Sequence, residues 1–377
     1  MIYIVGSIIV LYILSMIWIA IGIQKLPFFT AEIELPRTEF SVLIPFRNEE
    51  KNLSTLLKSL HDLNYPKNLY EVILINDGST DDWENVIQAF ENNTRENPLN
   101  LRIVNNQIES GSPKKDAITL GNKLANNDWI VTTDADCQLP LNWLNRIDQG
   151  VRKKQPKMIF GPILYSEKGS FEHYYQFLDG LSLQAASMAG FGWKRPFLCN
   201  AANMAYRKEV FQEVKGYEGN NHVSSGDDIF LMEKVSAKYP KRLFYLKSAE
   251  ATVITTGEDT LKEIVSQRIR WASKTSKQPN ALAKLLGWIV FLANLCFILA
   301  FLMIRTYGEY QWWLLSMVIT KIVMDFVVLR IMASTLRKNI SVGKFLLSAL
   351  AYPLVSVWVV FGSLFGKYSW KGRAFRK

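Results

Sequence analysis

Two carboxylates two residues apart, Asp134 and Asp136, follow the apolar run WIVTT (129–133) in the segment TTDADC. Acids so spaced at the turn after a strand can both face a divalent ion, because hard cations take oxygen ligands and keep water or phosphate ligands as well. Two further acidic clusters stand in comparable places: RNEE (47–50) after FSVLIP (40–45), and NDGSTDD (76–82) after YEVILI (70–75). A fourth, SGDD (225–228), lies further on. A carboxylate within hydrogen-bond reach of a hydroxyl can take its proton during nucleophilic attack. Near the end of the soluble stretch, QRIRW (267–271) sets Gln267, Arg270 and Trp271 at i, i+3 and i+4, on one face of a helix. A cation and a flat apolar ring there would suit an anionic leaving group and a bulky acceptor.

Positioning these groups requires a sheet. Leu53, Leu56, Leu57, Leu60 and Leu63 recur at helical spacing after the first apolar run, so the chain reads strand, turn, helix. A helix is predicted around 82–91, a strand at LRIV (101–104), a helix over 115–126 and a strand at 129–133. Strands alternating with helices imply parallel βαβ units, whose ligands bind beyond the carboxyl ends of the strands. The clusters RNEE, NDGSTDD and TDADC fall just there. Each also has a plainer reading: NDGST as a turn, SGDD as a helix cap, and Arg268, Arg270 and Lys274 as a basic membrane flank.

The chain has 377 residues, 49% of them apolar and 21% charged, with a net charge of +10, which excludes a disordered chain. Cys137, Cys199 and Cys296 are odd in number and far apart, so neither a disulfide framework nor a CxxC zinc site is expected, and a reducing compartment fits. Cys137 reads as a packed side chain, and His61, His173 and His222 show no ligand spacing, although His222 lies close to SGDD. There is no Walker or GxGxxG loop and the basic residues cluster near apolar segments, so no nucleic acid is expected as a partner.

Ile2–Ile23 carries no charge and is long enough to cross a hydrocarbon core of roughly 30 Å. It lacks the basic start and small-residue cleavage site of a signal peptide, so it reads as an uncleaved anchor. Further apolar stretches are expected to span at about 285–304, 310–332 and 345–365. Lys321 and Asp325, four apart, would neutralise each other within the second, and Trp312 and Trp313 would sit at an interface. Lys25 and Arg37 follow the first span, placing the soluble stretch in the cytoplasm, and Arg337, Lys338 and Lys344 agree with that orientation. The basic tail also calls for the cytoplasm, yet three crossings would leave it outside. Either 345–365, with Pro353 at its middle, is re-entrant or interfacial, or the charge bias is not obeyed.

Taken in order, IPFRNEE (44–50), LINDGSTDD (74–82), Lys114 in SGSPKKDA, TTDADC (132–137), NAANMAYRK (200–208), SGDDIFLME (225–233) and QRIRW resemble a family 2 glycosyltransferase, an inverting enzyme of GT-A fold, over residues 38–275. The subset with Gln-x-x-Arg-Trp includes cellulose, chitin and hyaluronan synthases and ceramide glucosyltransferases, all membrane-bound. The resemblance implies that Asp77 contacts the nucleotide base and ribose, with Glu49 and the backbone near Pro45 lining the pocket. It gives Asp134 to the nucleotide or the metal site, and Asp136 to a Mg²⁺ or Mn²⁺ bridging the diphosphate. Lys114 takes the family's Gly-Lys position, with Pro113 in place of the Gly and Thr119 in place of a common Asn. Asp228 becomes the base, Asp227 helps to hold the acceptor, and Gln267, Arg270 and Trp271 complete the substrate site.

The expected fold class is α/β, a GT-A nucleotide-sugar-binding domain with N-terminal and C-terminal transmembrane helices. Its parts would be an anchor over 1–24, a catalytic domain over 38–261, an interfacial segment over 262–283, a membrane region over 284–366 and a basic tail over 367–377. The segment 174–193 is mildly amphipathic and is expected near the membrane surface. The implied activity is hexosyl transfer from a nucleotide sugar, a UDP-sugar by default, to a lipid-like or glycan acceptor at the inner (cytoplasmic) membrane. A processive polysaccharide synthase and a catalytically silent scaffold or sugar-nucleotide sensor are the alternatives.

Overall fold

A computed structural model describes residues 2–30, 34–167, 169–221, 223, 226–275, 280–304, 308–365, 368–370 and 373–375. In chain order the elements are α1 (Ile2–Lys25), β1 (Phe40–Phe46), α2 (Glu50–His61), β2 (Tyr70–Asn76), α3 (Trp83–Asn93), β3 (Leu101–Asn105), α4 (Pro113–Leu124), β4 (Trp129–Thr132), β5 (Cys137–Gln138) and α5 (Trp143–Lys154). There follow β6 (Met158–Phe160), β7 (Ile163–Tyr165), α6 (Phe171–Gly192), β8 (Met204–Arg207), α7 (Lys208–Glu213), α8 (Asp227–Lys238), β9 (Leu243–Tyr245) and β10 (Val253–Thr255). The chain closes with α9 (Leu261–Thr275), α10 (Ala281–Met303), α11 (Gln311–Thr335), α12 (Val342–Phe365), β11 (Tyr368–Trp370) and β12 (Arg373–Phe375).

The chain divides into two compact units. The first to be described, Phe28–Ser166 with Cys199–Thr256, is α/β. Its seven-stranded sheet has the order β3-β2-β1-β4-β8-β6-β9. The strands β3, β2, β1 and β4 run parallel, whereas β8 is antiparallel to both β4 and β6. Every residue of β2 is buried, as are all but Pro45 of β1, which suits central strands covered on both faces. Helix α2 buries Leu53, Leu56, Leu57 and Leu60 against this sheet, one stripe at 3.6-residue spacing. The chain leaves β1 toward β2 on one side and returns to β4 on the other. Their carboxyl ends therefore flank the point where the strand order reverses, the usual ligand position in such sheets. A three-stranded sheet, β5-β10-β7, completes the unit.

The second unit, Met1–Pro27, Glu167–Leu198 and Gly257–Lys377, is helical among its described residues apart from the β11–β12 pair. Among the described residues, three helices are long and apolar enough to cross a membrane: Tyr3–Lys25, Ala281–Met303 and Val342–Leu364. Large apolar side chains such as Leu11, Leu14, Trp288, Phe301, Leu354 and Trp358 point outward from them, as lipid contact requires. Four spans were expected, and α11 (Gln311–Thr335), over the stretch expected at 310–332, is the helix not among the three. It carries Lys321, Asp325 and Arg330. The expected pair is formed inside this unit: Lys321 Nζ lies 2.9 Å from Asp325 Oδ2 and is 1% exposed, and the Tyr12 hydroxyl of α1 donates to the same carboxylate. Helix α12 runs unbroken through Pro353.

Residues 167–198 and 257–261, placed within the catalytic domain 38–261 on the sequence, group with the helical unit. The segment 174–193, expected near the membrane surface, has no single buried face. It forms most of α6, where Tyr174, Phe177, Leu181, Gln184, Ala185 and Met188 are buried together with their neighbours on other faces of the helix.

Candidate active site

The turns that follow β1 and β2 are tied to each other. Asn76 Oδ1 accepts from the Ser79 amide at 2.8 Å, and Gly78 takes the left-handed φ of 69° that the turn needs. Ser79 Oγ accepts from the Asn48 amide at 3.0 Å, Asn48 Oδ1 accepts from the Thr80 amide at 2.8 Å, and Asp81 accepts from the Glu50 amide at 2.7 Å. Several polar residues of RNEE and NDGSTDD thus serve to hold two loops together. Arg47 belongs to this frame too, donating to the carbonyls of Asp77 and Gly78, both at 2.7 Å. Glu49 occupies the N-cap position of α2, half-buried, and its carboxylate accepts from the Asn52 side-chain amide at 2.7 Å.

Asp77 is 5% exposed at the end of β2, with its amide on the Phe46 carbonyl. Asn106, just past β3, donates at 2.9 Å both to Asp77 Oδ1 and to the Pro113 carbonyl. One amide therefore couples Asp77 to the start of α4. From that start Lys114 reaches Asp134 Oδ1 at 2.7 Å and Asp227 Oδ2 at 3.5 Å. Burial alone would lower the Lys114 ammonium's pKa, but the carboxylates of Asp134, Asp227 and Asp228 outweigh it and raise it, so the cation persists. A lysine in this place contacts two of the predicted acids, which come from separate parts of the chain.

Asp227 and Asp228 open α8, where the unsatisfied amides and the helix dipole favour anions. They are buried at 7% and 8% exposure. Gly226, with φ of 83°, makes the turn into the helix, and the Ile229 amide donates to Asp228 Oδ1 at 2.8 Å. The chain before them is held by two lysines outside the predicted set. Lys115, 1% exposed, donates to the carbonyls of Asn220 and Val223 at 2.7 and 2.8 Å. Lys234 donates to those of Gly216 and Glu218, both at 2.7 Å. Burial, reinforced by the Asp227 charge, pushes the hydroxyls of Tyr217 and Tyr206 up, so both remain protonated beside the acids.

Asp136 is half-buried, and its carbonyl accepts from the Thr256 amide at 3.1 Å. Cys137 beside it is buried, and burial together with the Asp136 and Asp134 carboxylates pushes its thiol up, which fits a packed side chain rather than a nucleophile. Among the described residues no group of three or more His, Cys, Asp and Glu side chains could hold a metal ion. Asp134 and Asp136 offer only carboxylate oxygen, a donor set that fits a hard divalent ion completed by phosphate and water. His222 and Ser225 lie outside the described residues.

The Gln-x-x-Arg-Trp motif lies on α9, in the helical unit. Gln267 donates to Glu258 Oε1 at 2.9 Å, and the Arg268 guanidinium covers the Trp271 ring at 4.4 Å from its centroid. Gln267, Arg270 and Trp271 are each half-buried. Asn203, in NAANMAYRK, proves to be a core hub, accepting from Trp143 Nε1 and donating to the carbonyls of Pro162 and Ala251. Arg47, Lys115, Lys234 and Asn203 were missed as functional or structural anchors. Their sequence context signals a polar turn or a surface charge, and only their partners reveal the role.

Residues 41–215 match the family model described as "Glycosyl transferase family 2". The poly(ribitol-phosphate) beta-N-acetylglucosaminyltransferase TarS of Staphylococcus aureus is 32% identical over 98 residues, 26% of this chain and 16% of that protein. The undecaprenyl-phosphate 4-deoxy-4-formamido-L-arabinose transferase of Photorhabdus laumondii is 38% identical over 109 residues, 28% of this chain and 32% of that protein. The matches thus span less than a third of either relative. Among solved structures, the mannosyltransferase PcManGT from Pyrobaculum calidifontis, in complex with GDP-Man and Mn²⁺, shares the fold, with a TM-score of 0.59, 15% identity and 96% of each chain covered. Residues 41–215, just under half of the chain, therefore carry a family 2 glycosyltransferase domain, an α/β domain of GT-A fold.

Proposed function

We propose that the protein is a membrane-bound inverting hexosyltransferase that moves a sugar from a nucleotide-diphosphate sugar to a lipid-like, membrane-associated acceptor. The observation that carries this reading is the convergence at Lys114: Asp134 after β4, Asp227 at the start of α8, and Asp77 through Asn106, all beyond the carboxyl ends of the parallel strands. A donor bound there would have its base and ribose against Asp77 and Glu49, and its diphosphate toward Lys114. Asp228 takes the proton of the acceptor hydroxyl as that oxygen attacks the anomeric carbon. The new glycosidic C–O bond forms while the bond to the diphosphate breaks, and the nucleoside diphosphate leaves from the opposite face. One base and no enzyme nucleophile yield inversion. Asp227 helps to hold the acceptor, and the Lys114 cation offsets charge on the leaving group. Asp136 and Asp134 would hold Mg²⁺ or Mn²⁺, which supplies further neutralisation of the diphosphate.

A lipid-like acceptor is supported by the three apolar helices and by the lipid phosphate in the name of one relative. On this reading Gln267, Arg270 and Trp271 act at the acceptor side, and the catalytic unit faces the cytoplasm from a multi-pass inner-membrane chain. The test is turnover by detergent-purified protein over a panel of nucleotide sugars, UDP-sugars first, with a polyprenyl phosphate or a glycolipid as acceptor. Turnover of one donor, a single added sugar, and loss in Asp228→Asn are expected. A ladder of products would replace single transfer by processive synthesis. Donor binding without turnover under any condition would overturn the enzymatic reading.

A further inference from the structure

The helical unit gives the Gln-x-x-Arg-Trp motif a mounting that its sequence does not announce. On α6, His173, Gln176 and Asp179 recur at i, i+3 and i+6, and all three are buried, at 6%, 0% and 8% exposure. Each engages α9 or the segment leading into it. His173 Nε2 lies 3.1 Å from Asp259 Oδ1. Gln176 clamps Glu258 by two backbone hydrogen bonds, donating to its carbonyl and accepting from its amide, both at 2.8 Å. A side chain on Gly257 would put a Cβ 3.0 Å from the Gln176 amide nitrogen, a tight approach against the clamp. Asp179 forms an ion pair with Arg268, whose side chain is 11% exposed.

The partners of this ladder then touch the motif. Glu258, fixed through its backbone, accepts from the Gln267 amide at 2.9 Å. Arg268, fixed by Asp179, lies over the Trp271 ring at 4.4 Å. Ile269, the other unnamed position of the motif, packs on α12, where a Cβ on Gly362 would meet its Cδ1 at 2.6 Å. At the start of α9, Thr260 Oγ1 accepts from the Glu263 amide at 3.3 Å and donates to the Glu263 carboxylate at 2.6 Å. The two variable positions are therefore the anchors, and Gln267 and Trp271 are held by what they touch.

We propose that Gln176 and Asp179 are positioning residues for substrate transfer. Through Glu258 and Arg268 they set the orientation of Gln267 and Trp271, and the buried Asp179–Arg268 pair fixes the tilt of the Trp271 face. The inference rests on the reading that the motif serves the reaction. A half-buried guanidinium stacked on an indole is held in one place only if its own charge is satisfied, and Asp179 supplies that partner.

The test is a double-mutant cycle on the full-length protein in detergent, with Asp179→Asn and the milder Arg268→Lys each made alone and with Trp271→Ala. The readouts are kcat, the KM of donor and acceptor, and thermal unfolding. The expected result is a fall of about tenfold in kcat over acceptor KM for Asp179→Asn, with donor KM within twofold and no further loss when Trp271 is already Ala. Arg268→Lys, which keeps the charge but not the planar cover on the ring, should lose less and show the same non-additivity. If Trp271→Ala lowers turnover and the Asp179→Asn loss is the same in both backgrounds, the positioning role is overturned while the motif's role stands. If Trp271→Ala itself leaves turnover within twofold, the motif's role falls and the inference with it.

Discussion

Replacing Lys114 by Met removes the cation from between Asp134 and Asp227 while keeping the length and most of the volume of the side chain. The contacts are at 2.7 and 3.5 Å. At an effective dielectric of about 20, a pair at contact distance gains roughly 5 kcal/mol before any desolvation cost is subtracted. Breaking a fully buried pair typically costs about 3–5 kcal/mol, whereas an exposed pair is worth about 0–1 kcal/mol. The Lys114 side chain is 26% exposed and that of Asp134 35%, with Asp227 at 11%, which places the net loss between those limits. We expect about 2 kcal/mol, or a fall in melting temperature of about 4–8 °C for a domain of 150–250 residues. Tryptophan-detected thermal unfolding in detergent at low ionic strength measures it. Mg²⁺ or Mn²⁺ at millimolar concentration should restore part of the loss, because a divalent ion relieves the same repulsion among carboxylates. A melting temperature within 1 °C of the parent would refute the argument, since it would make the Lys114 cluster energetically equivalent to an exposed ion pair.

Other outcomes follow from the same geometry. Asp77→Ala should weaken binding of the nucleotide donor by about tenfold, the loss of one charged hydrogen bond, as read by calorimetric titration with UDP and GDP. Gly161→Ala should destabilise the α/β unit by more than about 2 kcal/mol in chemical unfolding, because its Cβ would lie 2.3 Å from Asn203 Nδ2 in a fully hydrogen-bonded core. The raised, buried Cys137 thiol should resist maleimide in the folded protein at pH 7.5 and react on unfolding, a contrast that mass spectrometry resolves. Chelation should abolish turnover, and re-addition of Mg²⁺ or Mn²⁺ should restore it, with the melting curve shifting in parallel.

Much of this molecule is written locally. The runs FSVLIP and YEVILI, the leucines of α2, and the polar clusters after each strand follow from side-chain periodicity and turn chemistry, which act over a few residues. That is why β1, α2, β2, α3, β3, α4 and β4 emerge close to where the residue pattern puts them. The uncharged stretch of α1 and the Lys321–Asp325 pair are legible for the same reason, since the relevant partners are four residues apart or fewer.

What required tertiary structure is everything decided by partners far along the chain. Whether Asp134 and Asp227 meet depends on β4 and α8 converging on Lys114, 93 residues separating the two acids. No local rule distinguishes Lys114, which gathers carboxylates, from its neighbour Lys115, which is buried against carbonyls 105 and 108 residues away. The same limit hid the role of α6. The segment 174–193 reads as mildly amphipathic, and only the fold shows that the polarity of His173, Gln176 and Asp179 is answered by Asp259, Glu258 and Arg268. The sequence alone determined which groups could do chemistry and on which elements they stand. The tertiary structure alone decided which of them share a place, because burial makes an unpartnered polar group costly and so selects the fold in which distant charges find each other.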